Sequence, residues 1–126
     1  MEKQSRLSEQ QIKNYVRAVI YIRTAADTAA ATAEQRKECM EYLEGKGYFF
    51  MKEYADIATR GTNNIRSAFD AMTIDAHIGE FDRIIVFSLS RISRSQNEAL
   101  AFCADLQDSC GVIVESVEGG DTSCHH

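Results

Sequence analysis

The sequence contains no proline and no tryptophan. Without proline there is no polyproline-II linker and no Pro-rich ligand segment. No apolar run approaches the ~20 residues that span a bilayer, so no membrane partner is expected. The opening stretch, MEKQSRLSEQQIKNY, lacks the apolar core of a secretory signal. Four cysteines, at positions 39, 103, 110 and 124, form no C-x-x-C pair. With no secretion signal they are expected to be free thiols in a reducing cytosol, which makes the protein cytoplasmic. Glycine-rich phosphate loops are missing too. Neither G-x-G-x-x-G nor a P-loop occurs, so no dinucleotide or nucleoside triphosphate cofactor is expected. Cys124-His125-His126 reads as a chain-end tail rather than a metal site, and the lone His77 as a surface or helix-end residue. Basic charge is also short. Fourteen Lys and Arg against nineteen Asp and Glu leave a net charge of −5. As a whole-chain figure, that argues against a basic nucleic-acid coat.

What is present suffices for one domain. The 126 residues are 44% hydrophobic and 26% charged, an ordinary globular composition with material for a single core. Residues 1–15 form a polar arm, with a short helix or a disordered stretch at 8–14. The β-branched run 16–22 reads as a buried strand. An Ala-rich segment, 28–45, carries Gln35, Cys39, Tyr42 and Leu43 at helical spacing, with Gly45 and Gly47 as its stop. Residues 48–54 read as a second strand and 65–78 as a helix with Phe69, Met72 and Ile78 on its apolar side. Residues 83–87 form a third strand, and 97–109 a helix with Leu100, Phe102, Cys103 and Leu106 inward. A fourth strand begins at 111–114. Strands alternating with helices predict an α/β fold, a three-layer αβα arrangement around a mostly parallel sheet. Ligands then bind at the carboxyl ends of the strands, in the loops 23–27, 56–64 and 88–96.

These loops share arginine. Arg23 ends the first strand, Arg60 and Arg66 flank the second loop, and Arg91 and Arg94 lie in the third, with no acid in 57–69 or 86–97. Guanidinium forks gathered at one end of a sheet suit phosphate oxygens, against the plainer reading of scattered surface arginines. The i, i+3 spacing of Arg91 and Arg94 predicts that both sit on the first helical turn after a strand, which favours the site.

The motifs in these loops resemble those of the serine recombinases, the resolvase and invertase family. Tyr21-Ile22-Arg23-Thr24-Ala25 is similar to the motif Tyr-x-Arg-x-Ser after strand one, and Gln35 to the Gln in the following helix. Asp56 through Gly61 to Arg66 resembles Asp-x-x-x-Ser-Gly followed by an Arg. Ser90-Arg91-Ile92-Ser93-Arg94-Ser95 resembles the third motif, usually Asp- or Ser-Arg-x-Gly-Arg, after a strand matched by 81–86. The resemblance covers roughly 16–118 and leaves 119–126 as a tail. It implies a resolvase-like catalytic domain acting on DNA for site-specific recombination, typically on a bacterial mobile element. A serine hydroxyl attacks the phosphodiester, a phosphoserine link forms without a metal, and arginines offset the phosphoryl charge. It implies phosphate contacts from Arg23, Arg66, Arg91 and Arg94, with Tyr21, Gln35, Arg60 and Ser90 binding or supporting. It also implies a homodimer, tetrameric in the synaptic state.

The chain departs from that pattern where chemistry depends on it. Ala25 occupies the nucleophile position and has no hydroxyl. Thr24 beside it points to the opposite side of an extended segment. Arg60 stands at a family serine, and Ser93 at the usual glycine. Three explanations of Ala25 remain: a natural pseudoenzyme, an engineered inactivation, or an active enzyme with a shifted nucleophile. The dimer helix and C-terminal DNA-binding domain of the family are absent, so an excised domain or a stand-alone product is expected. The expected function is therefore a recombinase catalytic domain without cleavage activity. The alternative is a catalytically dead regulatory or dimerisation partner of an active recombinase.

Overall fold

A computed structural model describes residues 7–24, 29–57 and 66–121. A short helix α1 (Glu9–Ile12) opens on a capping box, in which the Ser8 hydroxyl accepts from the Gln11 amide and the Gln11 side chain from the Ser8 amide. Then follow β1 (Arg17–Thr24), α2 (Ala29–Gly45), β2 (Phe49–Ile57), α3 (Ser67–Ile78), β3 (Arg83–Val86), a 3-10 turn (Leu89–Arg91), α4 (Gln96–Cys110), β4 (Ile113–Ser116) and β5 (Gly120–Asp121). The sheet order is β2-β1-β3-β4-β5. The first four strands are parallel, and β5 pairs antiparallel with β4. Among the described residues no helix is long and apolar enough to cross a membrane.

The predicted three-layer αβα arrangement is what forms. Strand β1 is interior to the sheet and buried on both faces, and its side chains alternate between two cores as strand geometry demands. Val19 and Tyr21 join Ile84, Val86 and Val114 against Met72 and Ala76 of α3 and Ala99, Cys103 and Leu106 of α4. Ala18, Ile20, Ile22 and Ile85 face Cys39 and Leu43 of α2. Cys39 and Cys103 are small core residues, and burial pushes the Cys39 thiol up to about 12. Gly47 at φ 75° and Gly111 at φ 73° take the left-handed conformation that ends α2 and α4.

Several expected details shift. Leu100 is 41% exposed and Ile78 65% exposed. Met72, Cys103 and Leu106 are buried as expected, but the stripes are completed by Ala99, one position from Leu100, and Ala76, two from Ile78. Strands β1 and β2 run on to Thr24 and Ile57, so Arg23 and Asp56 lie within strands rather than in loops. The strand β5 falls in the stretch read as a tail.

At the amino end of the sheet, Arg17 and Asp82 tie β1 to the start of β3. The Asp82 carboxylate accepts the Arg17 main-chain amide at 2.8 Å and the guanidinium Nε and Nη2 at 3.1 Å each. Burial pushes the Asp82 carboxyl up, but the bonds to Arg17 outweigh it and the net shift is downward. On the α2 face, Glu115 is 1% exposed. Its two oxygens accept from Tyr42, Tyr48 and Arg83.

Candidate phosphate site

The strand order reverses direction at β1 and β3, where the chain crosses from the α2 face to the α3/α4 face. A crevice opens at such a switch point, beyond the carboxyl ends of the strands. Tyr21, fully buried on β1, is the base of the site. Its hydroxyl donates to Asp56 Oδ2 at 2.7 Å and accepts from Arg66 Nη2 at 3.2 Å. Burial above all keeps this phenol protonated, pushing it up to about 12, with Arg66 pulling the other way and Asp56 adding to the rise.

Asp56 does a second job. Helix α3 has Arg66 at its N-cap, which supplies no side-chain cap. Asp56 reaches over from β2 instead and accepts the amides of Ala68 at 2.9 Å and Phe69 at 3.0 Å. Two orphan donors of the helix start are thus satisfied by a carboxylate at the positive end of the helix. This long-range cap fixes where Arg66 leaves the backbone. The Arg66 guanidinium is then clamped: it donates to the carbonyls of Ile92 at 2.9 Å and Arg91 at 3.1 Å, and lies 4.0 Å over the Phe69 ring.

The loop after β3 is braced as well. Ile92 is buried in the core. Ser93 Oγ accepts the Ser95 amide at 3.1 Å and donates to Glu98 at 3.0 Å. Ser95 caps α4 through the Glu98 amide at 3.2 Å. That cap delays the helix to Gln96. Arg91 and Arg94 therefore do not share a first helical turn: Arg91 closes the 3-10 turn, and Arg94 is exposed in the bend before α4.

Arg23, Arg66, Ser93 and Arg94 line one cleft of about 360 Å³. Arg91 contributes its carbonyl to Arg66 rather than lining the cleft. Gln35 works from the α2 side, donating to the Arg23 carbonyl at 3.2 Å. Ser90 is exposed and bonded to Ser88 at 2.7 Å, in an adjoining cleft. Ala25 and Arg60 lie outside the described residues, as do His125 and His126. Among the described residues, the buried side-chain polar atoms without a hydrogen-bond partner are Thr24 Oγ1, Gln35 Oε1, Arg66 Nε and Arg91 Nε, all near this end of the sheet. Asp56 is the site residue that sequence reasoning missed: Asn63 and Asn64 stand just ahead of the expected helix, and nothing local marks an acid on β2 as its cap.

Residues 18–125 match the model of the resolvase N-terminal domain. The chain belongs to the resolvase family. This resolvase domain is similar to the N-terminal catalytic domain of TP901-1 integrase, at 26% identity over 84% of this chain and 82% of that one, with a TM-score of 0.73. It is similar to the C-terminal catalytic domain of ISC1926 TnpA, an IS607-like serine recombinase, at 27% identity over 82% of this chain and 72% of that one, with a TM-score of 0.70. A resolvase family site-specific recombinase from Streptococcus pneumoniae shares the fold at 23% identity over 84% of this chain and 75% of that one, with a TM-score of 0.73. No match is found among curated protein sequences. The resolvase chain is thus a serine recombinase catalytic domain.

Proposed function

We propose that this domain binds neighbouring backbone phosphates of DNA through Arg23, Arg66 and Arg94 and does not cut the strand. The observation that carries the reading is three arginines lining one cleft, with Arg66 held by two main-chain carbonyls and a phenol. A clamped guanidinium meets phosphate oxygens with little entropy left to lose. Tyr21 positions Arg66, and Gln35 supports the strand end through the Arg23 carbonyl. The electrostatic half of the family reaction is retained and the nucleophilic half is not. Ala25 offers only a methyl group. Thr24 is 4% exposed and follows Ile22 onto the α2 face of β1, away from the face that Arg23 shares with Tyr21.

Binding of a fluorescent DNA duplex should weaken with salt at a log–log slope of about −2 to −3, the value for three phosphate contacts. Arg23→Ala combined with Arg94→Ala should bring the slope to about −1. An unchanged slope in that variant sinks the reading. Absence of any salt-dependent binding by the parent chain does so too, and favours the regulatory-partner alternative.

Restoring the hydroxyl alone is not enough. Ala25→Ser should give no covalent protein–DNA band on a supercoiled plasmid carrying the cognate site, because Arg60 and Ser93 also depart from the family pattern. A band surviving denaturing electrophoresis would show that position 25 was the sole defect.

A further inference from the structure

The arginine cleft has a neighbour. A second cleft, of about 270 Å³, shares Ser93 and Arg94 with the first and adds Ser88, Ser90, Gln96 and Glu118. The chemistry changes across the shared wall. Among the described residues, the first cleft holds three arginines and no acid. In the second, the Glu118 carboxylate lines the same cleft as Arg94, and among the described residues the other polar side chains there are hydroxyls and an amide. A phosphate would meet repulsion there, whereas a neutral group rich in hydrogen-bond donors meets acceptors. Gln96 and Glu118 are both exposed, one at the start of α4 and the other in the turn after β4. They therefore approach the cleft from separate elements, beside the loop that carries Arg94.

We infer that the second cleft takes the nucleobase next to a bound phosphate, and that it favours bases with an exocyclic amino group, adenine, cytosine and guanine, over thymine. A carboxylate accepts from such an amino group, and a glutamine amide pairs with the adenine edge. The phosphate cleft would then hold the strand and the second cleft would bias which nucleotide is held there. This inference rests on the phosphate-binding reading, because Arg94 and Ser93 join the two clefts.

The test is fluorescence anisotropy of the full chain at low salt with single-stranded oligo-dA, oligo-dC and oligo-dT of about 12 nucleotides. The parent chain should bind dA and dC about five- to tenfold more tightly than dT. Gln96→Ala combined with Glu118→Ala should abolish that difference and keep the salt slope, with the dT affinity equal to or above that of the parent because a carboxylate beside the phosphate cleft is removed. Both positions are on the surface, and thermal melts check that the variant is folded. Equal affinities for all three oligonucleotides, or a preference that survives the double substitution, overturn the base subsite and leave the phosphate reading standing. Failure of the parent chain to bind any of the three overturns both. Arg23→Ala with Arg94→Ala separates the two readings, because it should weaken all three oligonucleotides together.

Discussion

Glu115→Ala should lower folding stability by about 3 kcal/mol or more, the cost of removing one partner from a buried ionic group. Glu115 is 1% exposed and both of its oxygens are engaged. Oε1 accepts from the Tyr42 hydroxyl at 2.6 Å and lies 3.8 Å from Lys46 Nζ. Oε2 accepts from the Tyr48 hydroxyl and from Arg83 Nε at 3.1 Å. Burial, and then the bond to Glu115, push the Tyr48 phenol upward. One carboxylate therefore joins β3, β4, the end of α2 and the turn into β2. Alanine takes their shared acceptor away from three part-buried donors and leaves a hole in its place. The effect sits near the low end of the range for buried pairs because Arg83 and Lys46 keep some access to water, at 23% and 46% side-chain exposure. Urea unfolding of the two proteins gives the difference directly, and a loss below about 1 kcal/mol would mean that the cluster behaves like a surface ion pair.

Glu115 also marks the limit of what local pattern conveys. The strands were readable because runs such as 18–22 and 84–86 are β-branched and apolar on both faces, as parallel strands between helix layers must be. A glutamate after Val114 breaks that pattern, and nothing nearby in sequence announces two tyrosines and an arginine waiting for it. Helix stripes were readable to within one or two positions: apolar neighbours such as Ala99 and Leu100 both suit a 3.6-residue period, and packing chose the smaller one. The two-residue β5 carries no apolar signal at all. The arginine cleft was legible for a topological reason. In a parallel sheet every strand delivers its carboxyl end to the same side, so residues distant in sequence, such as 23, 66 and 94, converge. The net charge of −5 hid this, since the last 29 residues carry six acids and no Lys or Arg, while the third loop carries two arginines and no acid. Less legible was the bracing. The Ser95 cap that holds Arg94 outside α4 could be guessed from local sequence, but the reach of Asp56 from β2 to α3 could not.

That reach makes Asp56→Ala the most informative single change at the site. The carboxylate serves three donors: the amides of Ala68 and Phe69 and the hydroxyl of Tyr21. Loss of a helix cap costs up to about 2 kcal/mol, and a buried hydroxyl left without its acceptor adds about 1 kcal/mol or more. Asp56→Ala should therefore destabilise the fold by about 3 kcal/mol. Tyr21→Phe is the control. It keeps the buried ring and the α3 cap and removes only the hydroxyl, so its cost should be about 1 kcal/mol. The two variants should also differ in DNA binding. Tyr21→Phe leaves Arg66 on the carbonyls of Arg91 and Ile92, with its exit from α3 still set by the cap, and should keep most of the salt slope. Asp56→Ala frees the first turn of α3, from which Arg66 projects, and should reduce the slope by about one phosphate contact. Denaturant unfolding and salt-dependent anisotropy on the same two variants decide the matter. If Asp56→Ala costs no more than Tyr21→Phe in stability, the cap contributes nothing. If both keep the parent slope, Arg66 does not depend on this network for its position.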